Sequence, residues 1–134
     1  MKTFPLKIVT ADGIRYDGEA EELVVRTTTG DIGILAGHIN CVAPLGMGRA
    51  MVIIDGKKRY GACIGGMVSV IGGCVRLVPA TFEWAEHIDM ERAERSFMDA
   101  KAILANKDAS DTELRLAEAR LRRALVRKGV GSAQ

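Results

Sequence analysis

Residues Leu77–Ser96, LVPATFEWAEHIDMERAERS, decide how this chain is built. Up to Trp84 the apolar residues alternate, and from Asp89 they recur at helical spacing. Met90, Ala93, Phe97, Ala100 and Leu104 follow a 3-4-3-4 pattern, which is one face of a helix. Asp89 can cap that helix by accepting a backbone N–H. A period of two in front and a period near 3.6 behind divide the chain into residues 1–84, rich in strands, and residues 85–134, helical.

Working back from the break, "GGMVSVIGGCVRLVPA" reads as two short strands around Gly72-Gly73. "RAMVIIDGKKRYGAC" reads as a hairpin, because Asp55-Gly56 can take the positive φ values of a two-residue reverse turn. "FPLKIVT" (Phe4–Thr10) alternates, Ala11-Asp12-Gly13 supplies a turn, and "EELVVRTTT" is β-branched. Short strands broken by turn signals every 8–12 residues predict a β-sandwich or barrel.

Working forward, "NKDAS" is a polar connector, and Ser110-x-x-Glu113 is a capping box that opens a second helix. Its stripe is Leu114, Ala117, Leu121, Ala124 and Leu125. Neither half-stripe can be buried alone, so two antiparallel helices of ~18 residues, ~27 Å each, are expected to face one another. The alanines permit close approach but supply few bulky knobs.

The whole chain has 134 residues, 48% hydrophobic and 27% charged, as a soluble protein with one core requires. A net charge of +2 argues against general nucleic-acid binding. No apolar run approaches a membrane span, and the opening "MKTFPLKIVTADG" lacks a signal peptide's apolar core. Cys41, Cys63 and Cys74, odd in number and widely spaced, suit reduced thiols in a cytoplasm. Charge is uneven at the end of the chain: Ala119–Gln134 carries Arg120, Arg122, Arg123, Arg127 and Lys128 and no acid. A solvated helix terminus and a site for an acidic partner are both open readings of that run.

Three stretches invite chemistry. "GDIGILAGH" (Gly30–His38) is glycine-rich, but it has no lysine and no helix follows, so it does not match a phosphate loop. His38-x-x-Cys41 is one short metal-type pair, while Cys63 and Cys74 sit in apolar strand runs and read as small core residues. As a nucleophile pair, Cys41 and His38 lack a third member. In Glu86–Ser96, a solvated face with Glu91 and Arg95 paired at i,i+4 is the default. The alternative is a ligand held by Asp89 and Arg92, one turn apart, with Arg122 or Arg123 arriving from the returning helix.

With those residues in order, the chain resembles the epsilon subunit of bacterial F-type ATP synthases over nearly its whole length. The resemblance rests on "GDIGILAGH", on "GGMVSVIGGCVRLVPATFEWAEHID", and on "IDMERAE" entering a two-helix tail. It implies a flattened antiparallel β-sandwich of about ten strands and a C-terminal helical hairpin. It also implies a non-catalytic rotor subunit of the proton-translocating complex, with no cofactor required. The partners it implies are the gamma subunit, the ring of c subunits, and the alpha and beta catalytic subunits. The location it implies is the cytoplasmic face of the bacterial inner membrane, reached only through the complex. Asp31 would face the c-ring and His38 the gamma contact.

The tail would inhibit ATP hydrolysis, with Arg120, Arg122, Arg123, Arg127 and Lys128 meeting an acidic surface on the catalytic subunits. Ile88-Asp89-x-x-Arg92-Ala93 matches the ATP motif of some relatives, and Glu83 fits a further position, which makes ATP a candidate regulatory ligand. Asp99 stands near a position where ATP-binding relatives carry an arginine, and an acid there would repel phosphate. The competing class is a small β-sandwich adaptor whose basic tail binds RNA or an acidic protein. At 4% aromatic residues the chain lacks a stacking platform for single strands. A lone thiol enzyme using Cys41 and His38 is the third reading.

Overall fold

The computed structural model describes residues 2–132. Met1, Ala133 and Gln134, at the outer bounds of the two expected domains, lie outside the described residues. Ten strands come first: β1 (Phe4–Thr10), β2 (Gly13–Ala20), β3 (Glu22–Thr27), β4 (Gly30–Leu35), β5 (Cys41–Pro44), β6 (Met47–Ile54), β7 (Lys57–Ile64), β8 (Met67–Ile71), β9 (Cys74–Val78) and β10 (Thr81–Trp84). A 3-10 turn at Ala85–His87 leads into α1 (Met90–Leu104) and α2 (Asp111–Ser132).

The strands form two five-stranded sheets, ordered β2-β1-β9-β8-β5 and β10-β7-β6-β3-β4. Among the described residues only the β1–β9 pair is parallel. Alternation puts every second residue inward: Leu6 and Ile8, Leu23 and Val25, Val68 and Val70, Val75 and Leu77, Phe82 and Trp84 are all buried between the sheets. Asp55 (φ 51°) and Gly56 (φ 76°) form the predicted reverse turn between β6 and β7. Trp84 Nε1–H donates to the Arg15 carbonyl at 3.1 Å, joining β10 of one sheet to β2 of the other at a shared edge.

One strand expectation needs correction. Cys63 is a core residue, but Cys74 is exposed. Val75 and Leu77 point inward, so Cys74, one residue away, must point out. Most of "GDIGILAGH" is strand: Gly30–Leu35 is β4, at the edge of its sheet. Gly30 (φ 127°) and Gly37 (φ 84°) make the turns at its ends.

The helices pair antiparallel across alanines, with Ala93 and Ala100 of α1 and Ala117 and Ala124 of α2 buried. Both predicted caps form. Asp89 Oδ1 accepts the Arg92 N–H at 3.0 Å. Ser110 Oγ accepts the Glu113 N–H at 3.1 Å, while the Glu113 carboxylate accepts the Ser110 N–H at 3.2 Å.

The lengths and faces differ from expectation. α1 has 15 residues and α2 has 22. Because α2 runs to Ser132, its basic residues lie inside the helix, and no base occupies its last turn. A helix-dipole account of those charges therefore fails. Leu125 is 49% exposed rather than part of the seam. The end of α2 instead turns Val126 and Val130 onto the sandwich, against Tyr60, Ala62, Ala85 and Ile88. The hairpin is thus folded down on the outer face of β6 and β7 through a small apolar patch. Among the described residues no helix is long and apolar enough to cross a membrane.

Candidate functional site

The two helices leave a groove between them that opens toward the sandwich. Its helical part, about 350 Å³, is lined by Arg92, Arg95, Ser96, Asp99, Arg120, Arg123 and Arg127. A second part, about 210 Å³, lies at the start of α1 and is lined by Glu83, His87, Asp89, Arg92, Ala93 and Arg127. Arg92 and Arg127 belong to both, so the two parts adjoin.

The local sequence explains the groove. The cap at Asp89 fixes the first turn of α1, and Arg92, Arg95 and Asp99 follow at helical spacing along one edge. Arg120, Arg123 and Arg127 line the facing edge of α2 by the same spacing. The alanine seam beneath brings the two edges close enough to share one cleft.

Carboxylates close the groove at two places. Arg127 Nε meets Glu83 Oε1 at 2.7 Å, and this pair also ties α2 to β10. Arg120 donates from Nε to Ser96 Oγ at 2.9 Å and meets Asp99 at 3.3 Å, linking the helices. Arg92, Arg95 and Arg123 have no ion-pair partner among the described residues. Three unpaired guanidiniums facing one cleft repel each other, and an anion bridging them would relieve that repulsion.

Of the residues expected around a nucleotide, Glu83, Asp89, Arg92, Ala93 and Arg123 converge here. Ala93 is 1% exposed and contributes the groove floor. Two do not converge. Ile88 is buried in the apolar patch under Val130. Arg122 points away and pairs with Glu118 at 3.1 Å along its own helix. The expected Glu91–Arg95 pair is likewise not among the ion pairs, because Arg95 turns into the groove. Arg120 and Arg127, expected only at a contact with catalytic subunits, line the groove as well. Helix spacing from Arg123 is the signal that could have found them.

The basic run of α2 is largely engaged within the molecule. Arg120 meets Asp99, Arg122 meets Glu118 and Arg127 meets Glu83. Lys128 meets Glu94 at 2.7 Å and lies 4.1 Å above the Phe97 ring. Beside the hinge, the Arg59 guanidinium stacks 3.8 Å over Trp84 and pairs with Glu86. Burial pushes the Glu86 carboxyl up, but its backbone N–H and Arg59 outweigh that and hold it below its ordinary value.

The other sequence candidates lie outside the groove. Asp31, in edge strand β4, pairs with Arg26 at 3.1 Å and is more than half exposed. His38 is half-buried, with Nδ1 2.8 Å from the Ile39 carbonyl and 4.0 Å from Cys41 Sγ. Exposed apolar residues follow it in the chain, Ile39 at 78% and Val42 at 60%, and Ile71 at the end of β8, the strand paired with β5, is 62% exposed. Cys63 lies in the core, where burial pushes its thiol up to about 12. Among the described residues no three His, Cys, Asp or Glu side chains are placed to hold a metal ion.

Sandwich and groove together define a two-part molecule, a β body with an arginine-lined helical arm. Residues 3–85 match the model of the ATP synthase delta/epsilon chain beta-sandwich domain, and residues 86–127 match that of its long alpha-helix domain. The chain belongs to the ATP synthase delta/epsilon chain family. It is 42% identical over 130 residues to an ATP synthase epsilon chain of Bacillus velezensis, covering 97% of this chain and 98% of that one. With the epsilon chain of Bacillus subtilis it shares 44% over 115 residues, 86% of each. Its fold also matches a chain of the Euglena gracilis mitochondrial ATP synthase, solved as the OSCP/F1/c-ring assembly. There the TM-score is 0.83 at 23% identity, covering 98% of this chain and 82% of that chain.

Proposed function

We infer that this chain is the non-catalytic epsilon subunit of an F-type, proton-translocating ATP synthase, working in the central stalk. The observation that carries this reading is the joint match of sandwich and helical arm, in order, to one family, with near full-length identity to bacterial epsilon chains. That match leaves the RNA-binding adaptor and the thiol enzyme without support.

In this reading the sandwich docks on the rotor, with Asp31 toward the ring of c subunits and His38 toward gamma. The exposed Ile39, Val42 and Ile71 favour the gamma contact, since apolar surface of this kind gains by being covered. The chain reaches the membrane's cytoplasmic side as a peripheral part of the complex. Co-purification tests this assignment: a stable complex with a gamma-type coiled-coil subunit supports it, and failure to bind gamma contradicts it.

The hairpin is the regulatory arm, and its extended form would inhibit ATP hydrolysis at the alpha and beta subunits. Arg120, Arg122, Arg127 and Lys128 are held by internal acids in the folded form, so an acidic surface elsewhere must compete with those acids. Such exchange of one carboxylate for another costs little at a surface, which suits a two-state arm. ATP is the proposed ligand of the folded form, with Arg92 and Arg123 on its phosphates and Glu83, Asp89 and Ala93 at the start of α1. Calorimetric titration of the purified chain tests this. Heat saturating below millimolar ATP supports it, and no heat at millimolar ATP removes it.

A further inference from the structure

The groove's helical part carries five guanidiniums against one carboxylate, a surplus of four positive charges. The single acid is not idle. Asp99 is 64% exposed at its side chain, yet it takes Arg120 from the opposite helix at 3.3 Å. Ser96 Oγ accepts from Arg120 Nε at 2.9 Å and fixes the guanidinium's position. Arg120 is therefore turned along the groove wall toward Asp99, while Arg92, Arg95 and Arg123 have no carboxylate of their own.

We propose that Asp99 is a built-in competitor for phosphate in this groove, holding Arg120 so that an oligophosphate must displace the carboxylate to engage all the guanidiniums. The proposal rests on the reading of the groove as a nucleotide site and adds what sets its affinity. An oligophosphate chain is the class of ligand that fits, because its several charges can meet guanidiniums of both facing helix edges at once. A single phosphate would satisfy Arg92 and Arg123 without disturbing Asp99. A triphosphate is long enough to reach Arg120, and there it meets a like charge and an arginine already engaged. Asp99 thus weakens binding of longer anions selectively and moves the sensing range to higher concentration. It also keeps the helices linked when the groove is empty, through a pair that an anion would replace rather than add to.

The test is calorimetric titration of the full chain with inorganic tripolyphosphate, with orthophosphate and with ATP, at one fixed salt concentration. Asp99→Asn keeps the size of the side chain and removes the charge, and circular dichroism checks that its helix content is unchanged. Tripolyphosphate and ATP are expected to bind the variant roughly tenfold more tightly than the parent chain, with orthophosphate little changed. In an Arg120→Ala background the gain from Asp99→Asn should shrink, as two residues acting through one another require. Equal affinities of parent and Asp99→Asn would overturn the proposal while leaving the nucleotide site standing. A tenfold gain that persists without Arg120 would also overturn it, since repulsion alone would then suffice. If neither protein binds tripolyphosphate or ATP, the proposal and the nucleotide reading fall together.

Discussion

Gly66 occupies a backbone position that no other residue can fill. Its φ is +90°, and a Cβ there would lie 2.0 Å from the Val78 carbonyl oxygen. Gly66→Ala should destabilise the sandwich by about 2–4 kcal/mol, read as a lower urea midpoint with unchanged slope. Midpoints that coincide would mean the β7–β8 turn relaxes freely. The cysteines give a second residue-scale expectation. A maleimide should label Cys74 in the native protein and reach Cys63 only on unfolding, because burial keeps that thiol neutral and covered. Mass spectrometry of the labelled peptides decides, and rapid native labelling of Cys63 would contradict the buried placement. Asp55-Gly56 was legible because a reverse turn is a local property of two residues. Gly66 was not, since its constraint comes from Val78, which only the fold brings near. Cys74 was misjudged for a related reason: a strand's face is set by register, and composition does not carry register.

At the scale of elements, the helix caps and the alanine seam could be read from spacing, since helices encode their faces every three or four residues. Where α2 stops could not. The stripe was followed to Leu125, whereas the end of the helix is held by Val126 and Val130, four residues apart and facing the sandwich rather than α1. A helix that contacts two surfaces in turn shows two overlapping stripes, and a single-face reading picks only the first. Val130 is 2% exposed, so Val130→Asp would force a carboxylate into an apolar patch. The expected outcome is a hairpin released from the sandwich, with loss of about 1.5–3 kcal/mol of docking. Limited proteolysis should then cut near residues 85–89 many times faster while the sandwich stays resistant. Arg127→Ala removes only the part-exposed pair with Glu83 and should accelerate cleavage far less, as ion pairs near a surface contribute little. Equal protection of parent and Val130→Asp would show that the patch does not hold the arm.

For the whole molecule, the groove was half legible. Asp89, Arg92 and Arg123 could be placed at one end from antiparallel geometry, but Arg120 and Arg127 were assigned only to an outside partner. Their internal acids, Asp99 and Glu83, are 21 and 44 residues away in sequence, the first brought close by helix pairing and the second by the hairpin's docking on the sandwich. Docking on the rotor belongs to this scale too. Asp31→Arg would place a cation beside Arg26, a surface change costing under about 1 kcal/mol of fold stability. It should nevertheless weaken association with the c-ring in a reconstituted complex, measured by pull-down, and an undiminished association would remove Asp31 from that contact. The central claim is that the sandwich is the rotor fitting and the arm its regulator. The most direct measurement is ATP hydrolysis by the assembled complex carrying this chain truncated after Trp84. The account predicts intact assembly and a raised hydrolysis rate, whereas an unchanged rate in a fully assembled complex would contradict the arm's inhibitory role.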